Sequence, residues 1–132
     1  MFWARGLKPY RVPHGGSSVV GTLGYVEAGL EIAGQIDAGE MPEPSAIFVA
    51  LGSGGTAAGL AVGLAALGFT TPVIGVRVTP RLVCNRAVVV NLINGAVRFL
   101  RKFDPSFPDV AKGAARLLDV HSDHYGGGYG VV

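Results

Sequence analysis

The chain has 132 residues, enough for one domain with a hydrophobic core. Apolar residues make up 49% and charged residues 15% of the chain, which excludes an intrinsically disordered protein. The net charge is only +2 and the basic residues are scattered, so we predict no nucleic-acid partner.

Residues 44–76 contain no charged side chain and have the length of a membrane span. The glycine-rich segment 52–56 and the segment 69–72 interrupt this stretch, leaving a helix of about 12 residues where roughly 20 are needed. We therefore predict no membrane segment. The N-terminus lacks a signal-peptide core and Cys84 is the single cysteine, which together indicate a cytoplasmic protein.

The first predicted elements are an extended piece, a helix and a strand. Prolines bound the extended piece at residues 9–13, and the serines of the loop His14–Ser18 are placed to cap a helix over Val19–Ala38. Ala46–Leu51 is apolar at every position, which is typical of a central parallel strand covered on both faces.

The later elements continue the alternation. We predict a helix over Thr56–Leu67, a strand over Val73–Val78 and a helix over Arg81–Phe103. Residues 109–120 are ambiguous between helix and strand, with Arg116–Val120 as the candidate strand. Alternating strands and helices predict an α/β fold in which helices flank a parallel sheet, with ligands beyond the carboxyl ends of the strands.

The loop Gly52-Ser53-Gly54-Gly55-Thr56 has the composition of a phosphate-binding loop. Glycines allow backbone N–H groups to converge on one point, and the following helix adds the positive end of its dipole. The hydroxyls of Ser53 and Thr56 can also donate hydrogen bonds. A tight turn whose glycines serve only packing would have the same composition, so the spacing alone leaves both interpretations open.

The same loop also fits the dinucleotide pattern G-x-G-x-x-A through Gly52, Gly54 and Ala57. That pattern requires an acidic residue near the end of the next strand, where this chain has Thr79-Pro80-Arg81. An NADP-binding Rossmann-type domain that uses Arg77 or Arg81 is therefore an alternative hypothesis.

Other reactive side chains have weaker support. His121, Asp123 and His124 fall close together in a loop, but such residues are more often polar surface, and we predict no metal site. Cys84 falls in the pattern of the third helix and is predicted to be a buried structural thiol.

Segments spread over nearly the whole chain keep a characteristic order: Gly15–Ser18, Gly24–Ala28, Ala50–Leu60, Pro72–Val76 and Gly128–Val131. In this order they resemble the D-cysteine desulfhydrase / 1-aminocyclopropane-1-carboxylate deaminase family. Members of this family are pyridoxal-phosphate (PLP) enzymes of the tryptophan synthase β-like fold. The resemblance implies that the chain is part of such a PLP domain.

The resemblance also implies roles for individual residues. Ser53, Gly54, Gly55 and Thr56 match the loop that binds the phosphate of the cofactor, pyridoxal 5'-phosphate. Tyr129 matches a tyrosine near the cofactor and substrate, and Gly15–Ser17 match a loop whose role we expect to be mainly structural.

The implied substrate is a small amino acid. The family's reactions are β-elimination of D-cysteine to pyruvate, sulfide and ammonia, and deaminative ring opening of the cyclopropane acid. In both, the cofactor ring is an electron sink. Full-length members are expected to be homodimers.

The chain departs from the family pattern at the Schiff-base lysine. The family places this lysine upstream, after glycine and asparagine, whereas Lys8, Lys102 and Lys112 have other neighbours. The segment that follows the family's Gly-Tyr-Gly motif is also absent. We therefore expect residues 1–132 to be a partial PLP-binding domain, a central fragment that is inactive alone. A non-catalytic phosphate-binding or assembly module, its apolar edges covered by a partner, is a further alternative.

Overall fold

The computed structural model describes residue 6 and residues 8–126. A short 3-10 turn precedes the first helix, and strands and helices then alternate. In chain order the elements are the turn His14–Gly16, α1 (Val19–Asp37), β1 (Ile47–Leu51), α2 (Gly55–Ala66), β2 (Val73–Arg77), α3 (Arg86–Phe103), α4 (Ala111–Leu117) and β3 (Leu118–His121).

The strands form one parallel sheet in the order β1-β2-β3, with helices packed against it. In the register of the sheet Leu51 pairs with Arg77, and Val76 pairs with His121. All three strands therefore end at the same edge, and the segments that follow them meet there. This confirms the predicted α/β fold with a parallel sheet and flanking helices.

Helices α1 and α2 pack closely because glycines replace side chains where the helices meet. A Cβ atom on Gly29 would lie 2.8 Å from the carbonyl oxygen of Leu60, and one on Gly59 would lie 2.6 Å from that of Thr22. Residues 57–64 of α2 are all buried. This packing fixes the position of the N-terminus of α2 relative to α1.

The prediction that Ala46–Leu51 is a central strand covered on both faces is wrong. Within the described part of the chain β1 is an edge strand, and the side chain of Phe48 is 69% exposed. Burial alternates along β1: Leu51 is buried and Val49 is half-buried, whereas Phe48 and Ala50 are exposed.

The third helix begins at Arg86 rather than at Arg81. Residues 80–84 form a turn in which the N–H groups of Val83 and Cys84 donate to the carbonyl oxygen of Pro80. The side chain of Asn85 then caps α3 by accepting a hydrogen bond from the N–H of Val88 at 3.2 Å. The ambiguous segment 109–120 contains the helix α4 and most of the strand β3. The candidate strand Arg116–Val120 is confirmed in part, because β3 begins at Leu118.

Among residues 8–126, none of the helices combines the length and the apolarity that a membrane crossing requires.

Candidate functional site

A cleft of about 170 Å³ opens at the carboxyl end of β1. One wall is the glycine loop and the first turn of α2, and the other is the loop before α1 together with the first turns of that helix. We call it the β1–α2 cleft; its lining residues are Gly15, Gly16, Ser17, Gly21, Tyr25, Ala50, Leu51, Gly52, Ser53, Gly54, Gly55, Thr56 and Ala57.

The first turn of α2 supplies hydrogen-bond donors to this cleft. Gly54 is the N-cap residue, and the first N–H that donates within the helix is that of Ala58, to Gly54 at 3.0 Å. The N–H groups of Thr56 and Ala57 therefore have no acceptor within α2. Together with the helix dipole, these donors create a positive potential suited to an anion.

Ser17 connects the two walls of the cleft. Its hydroxyl group donates a hydrogen bond to the Oγ atom of Ser53 at 2.7 Å, and its Oγ atom accepts one from the N–H of Gly55 at 3.1 Å. The expectation of a mainly structural role for Gly15–Ser17 did not identify Ser17 as a residue that lines the cleft and holds the glycine loop. No local pattern could have revealed it, because the partners are distant in sequence.

The glycines of the loop are required by its geometry. Gly54 has a φ angle of 95°, in the left-handed region, and a Cβ atom there would lie 3.0 Å from Cγ2 of Val89. A Cβ atom on Gly55 would lie 2.7 Å from Oγ of Ser17. Glycine at both positions therefore lets the loop pack closely against Val89 and Ser17. The loop fits a phosphate group because the N–H groups of the first turn of α2 have no acceptor within the helix.

The structure brings together the residues predicted to bind a phosphate: Ser53, Gly54, Gly55 and Thr56 all line the cleft. Tyr129, predicted to lie near the cofactor, falls outside the described residues. Tyr25 on α1 does line the cleft, with 46% of its surface exposed. This tyrosine was not among the predicted site residues, although it belongs to the matched segment Gly24–Ala28.

No lysine lines the β1–α2 cleft among the described residues. Lys102 and Lys112 line a larger cavity of about 800 Å³ between α3 and α4, together with Arg98 and Arg101. Lys8 is exposed. We do not place the phosphate in the larger cavity, because this cavity lies away from the loops that follow β1 and β2. The helix that begins beside it, α4, is also shorter than α2.

Cys84 lies behind the glycine loop. The prediction of a buried thiol is confirmed, but its place in the third helix was wrong, because Cys84 belongs to the turn before α3. Burial raises the pKa of the thiol, and the positive charge of Arg77 opposes that effect in part. The sulfur would lie 3.3 Å from a Cβ atom on Gly54, so it supports the loop from its buried side.

His121, at the end of β3, contacts an aspartate side chain. Nε2 of His121 lies 3.0 Å from Oδ2 of Asp119, and this hydrogen bond lowers the pKa of Asp119. Within residues 8–126, Asp123 and His124 join no group of three or more side chains suited to a metal ion.

Comparison with known protein families agrees with this geometry. A family model described as pyridoxal-phosphate dependent enzyme matches residues 4–129, a range that includes the whole β1–α2 cleft. The cofactor of this family is pyridoxal phosphate, which carries the phosphate group that the cleft fits. The chain belongs to the family of pyridoxal-phosphate dependent enzymes.

Proposed function

We propose that this chain binds the phosphate of pyridoxal phosphate in the β1–α2 cleft and is the cofactor-binding part of a lyase or deaminase acting on a small amino acid. The reaction is of the D-cysteine desulfhydrase or 1-aminocyclopropane-1-carboxylate deaminase type. The observation that carries the proposal is the group of unpaired N–H donors at the start of α2, held against Ser17 and Ser53.

Four lining residues of the cleft have defined roles in this proposal: Ser17, Ser53, Thr56 and Ala57. The N–H groups of Thr56 and Ala57 donate to phosphate oxygens, and the hydroxyls of Ser53 and Thr56 add further donors. Ser17 fixes the loop by its hydrogen bonds to Ser53 and Gly55. When bound, the cofactor supplies an electron sink for the charge that develops on the α-carbon of the substrate.

The ordered motifs of the sequence resemble the enzymes that act on D-cysteine and on the cyclopropane amino acid. The NADP alternative has less support, since the family match is to pyridoxal-phosphate dependent enzymes.

The proposal includes non-covalent binding by the chain as it stands. No lysine lines the cleft among the described residues, so the chain alone is expected to be inactive. After incubation with pyridoxal phosphate and borohydride, mass spectrometry should detect no stoichiometric adduct. A stoichiometric adduct at Lys8, Lys102 or Lys112 would overturn this part of the proposal.

The phosphate site is tested with two ligands that lack the aldehyde, so that neither requires a lysine. These are 4-deoxypyridoxine 5'-phosphate and 4-deoxypyridoxine, which differ only in the phosphate. We expect saturable binding of the first by calorimetry and at least roughly tenfold weaker binding of the second, because the charge-assisted hydrogen bonds are lost. Equal affinities would contradict the proposal.

The substrate class is tested with phosphopyridoxyl amino acids, stable amines that join cofactor and amino acid. The phosphopyridoxyl derivative of D-alanine should bind more tightly than that of D-phenylalanine, because the enzymes that the motifs resemble act on small amino acids. A non-catalytic phosphate-binding module would show no preference between the two, and equal binding would favour that second candidate.

Cytoplasmic location and assembly as a homodimer are also part of the proposal. The first rests on the N-terminal sequence and the single cysteine, and the second on the family resemblance. Apolar side chains such as Phe48, Val20 and Leu82 are exposed, which agrees with contacts to another subunit. Sedimentation analysis of the chain should show a dimer at micromolar concentration, and a monomer at all concentrations would count against assembly by this segment.

A further inference from the structure

The cavity of about 800 Å³ between α3 and α4 has no part in the proposed function. Four basic side chains and one carboxylate line it: Arg98, Arg101, Lys102, Lys112 and Asp109. We call it the basic groove. Three of the basic residues come from α3 and one from α4, so the packing of the two helices places them around one cavity. No residue lines both this groove and the β1–α2 cleft, and the two are therefore separate sites on the described chain.

Three of these charges are neighbours on one face of α3. Arg98 precedes Arg101 by three positions and Lys102 by four, which places the three side chains next to one another on the helix surface. Like charges at these spacings repel, and acidic residues one turn away relieve such repulsion on many exposed helices. Helix α3 contains no acidic residue. The repulsion is therefore not relieved by α3 itself.

Residues outside α3 neutralise only part of this charge. The carboxylate of Asp109 lies 3.4 Å from Arg101, but both side chains are exposed and such pairs are weak. Within residues 8–126, no carboxylate lies within ion-pair distance of Arg98, Lys102 or Lys112. The groove therefore keeps an excess of positive charge, which an anionic ligand would neutralise.

Two of the basic side chains are already oriented. The Nε–H of Arg98 donates to the carbonyl oxygen of Asn94 at 3.2 Å, and in the described part of the chain its Nη atoms make no further hydrogen bond. The Nζ atom of Lys102 lies 5.6 Å from the centre of the Phe103 ring. Side chains that are ordered before binding lose less conformational entropy when a ligand binds. The Nη donors of Arg98 and the ammonium group of Lys102 are thus free to contact an anion.

The arrangement of the charges favours a ligand with several linked phosphate groups. Arg98 and Lys102 are one helical turn apart, about 6 Å along the axis of α3, and Lys112 lines the same groove from α4. A single phosphate is too small to contact all of these cations, whereas a chain of phosphates can reach both walls. Guanidinium groups bind phosphate oxygens through paired N–H donors, and ammonium groups bind them as point charges.

We propose that the basic groove binds a small polyphosphate, a molecule with at least two linked phosphate groups, through Arg98, Lys102 and Lys112. The inference goes beyond the proposed function, because it adds a second ligand to the chain and requires no cofactor in the β1–α2 cleft. Asp109 opposes this binding, since its carboxylate repels the phosphates and competes for Arg101.

Calorimetry at constant ionic strength and without divalent cations tests the class of ligand. Tripolyphosphate should bind saturably, and inorganic phosphate at least roughly tenfold more weakly, because each lost phosphate removes charge-assisted hydrogen bonds. Citrate, whose charge is close to that of pyrophosphate, should bind more weakly than pyrophosphate, since a carboxylate presents fewer acceptor oxygens. Equal affinities of tripolyphosphate and inorganic phosphate, or citrate binding as tight as that of pyrophosphate, would overturn the inference.

A matched pair of variants on α4 tests the location. Lys112→Gln and Arg116→Gln each remove one positive charge, but Arg116 lines a different cavity. Lys112→Gln should weaken tripolyphosphate binding roughly fivefold and Arg98→Gln roughly tenfold, whereas Arg116→Gln should leave it nearly unchanged. Equal losses in Lys112→Gln and Arg116→Gln would mean that the anion responds only to net charge, and would rule out the groove as its site.

Asp109→Asn should have the opposite effect. Loss of the carboxylate frees Arg101, so tripolyphosphate should bind roughly threefold more tightly. A gain in affinity cannot result from a folding defect, which makes this variant a complement to the losses above. Weaker or unchanged binding would contradict a site that includes Arg101 and its neighbours.

A competition experiment separates this inference from the proposed function. Saturation of the chain with 4-deoxypyridoxine 5'-phosphate should leave the affinity for tripolyphosphate unchanged, and tripolyphosphate should move the Nε–H resonance of Arg98 in ¹⁵N-edited NMR spectra. Displacement of tripolyphosphate by 4-deoxypyridoxine 5'-phosphate would place both in the β1–α2 cleft and overturn the basic groove alone. Failure of 4-deoxypyridoxine 5'-phosphate to bind, with an intact tripolyphosphate response at Arg98, would overturn the proposed function and support the groove.

Discussion

The hydroxyl oxygens of Ser17 and Ser53 lie 2.7 Å apart, although the residues are 36 positions apart in sequence. Ser17 precedes α1 and Ser53 precedes α2, so this hydrogen bond joins the entrances of the two helices. The close packing of α1 on α2 fixes the distance between these entrances. The phosphate-binding geometry is therefore a tertiary property of the fold and not of the glycine loop alone.

We expect Ser17→Ala to weaken phosphate binding and to destabilise the fold slightly. The variant removes the hydrogen bonds to Ser53 and Gly55, at a cost of about 1 kcal/mol in the free energy of unfolding. The affinity for 4-deoxypyridoxine 5'-phosphate should fall roughly fivefold, because the loop is less well positioned.

Ser18→Ala is the matched control. Ser18 caps α1 by accepting from the N–H of Gly21 at 3.0 Å, and its loss also costs about 1 kcal/mol. Its side chain does not line the cleft, so calorimetry should show unchanged phosphate affinity. Equal losses of affinity in both variants would mean that general destabilisation, and not the contact of Ser17, explains the effect.

Thr56→Asp should change stability and binding in opposite directions. An aspartate in the first turn of α2 interacts favourably with the helix dipole, by about 0.3–1 kcal/mol in the free energy of unfolding. The same negative charge repels the phosphate, so binding of 4-deoxypyridoxine 5'-phosphate should be lost.

Two further variants complete this test. Thr56→Val removes only the hydroxyl and should retain most of the affinity, whereas Gln35→Glu adds a negative charge at the far end of α1 and should not affect it. Retained phosphate binding in Thr56→Asp would show that the anion binds elsewhere.

Gly63→Ala should destabilise the protein because it adds a methyl group between α1 and α2. The new Cβ atom would overlap the carbonyl oxygen of Val26 and lie 2.7 Å from the backbone nitrogen of Leu30. We expect a loss of about 1–3 kcal/mol in urea unfolding. Gly34→Ala on α1 meets no atom within 4 Å and should instead stabilise by roughly 0.5–1 kcal/mol. Equal effects of the two changes would contradict the close helix packing.

Cys84 should make stability depend on pH in the alkaline range. Burial raises the pKa of the thiol in the folded state above its ordinary value of 9.0, so folding favours the neutral form. The contribution is fully present below the unfolded pKa and decreases as the pH rises toward the folded pKa. Between pH 7 and 10, wild type should therefore lose more stability than Cys84→Ala. Identical pH profiles in chemical unfolding would refute a buried neutral thiol.

The sequence predicted the elements whose signals are local. The apolar spacing of α1, with Ser18 before it and Gly39 after it, located that helix within one residue at its C-terminal end. The start of α3 was misplaced because Arg81–Asn85 continues the apolar pattern. In the structure a turn that begins at Pro80 comes first, and the helix starts only after Asn85, whose side chain caps it. Capping by Asn85 is also a local signal, and it identifies the true start of the helix.

The candidate site was predicted only in part. The glycine loop could be predicted directly from the sequence. A positive φ angle and close packing against neighbouring side chains require glycine at positions such as Gly54. The contact of Ser17 with Ser53 depends on how segments that are distant in sequence pack together. For the same reason the apolar composition of β1 did not show that Phe48 is exposed.

The most direct test of phosphate binding in the β1–α2 cleft is a ¹⁵N-edited NMR titration of the chain with 4-deoxypyridoxine 5'-phosphate. We predict saturable downfield shifts of the amide resonances of Thr56 and Ala57, and no such shifts with 4-deoxypyridoxine. Shifts centred instead on Arg98 and Lys112, in the larger basic cavity, or equal shifts with both ligands, would contradict the assignment of the phosphate to this cleft.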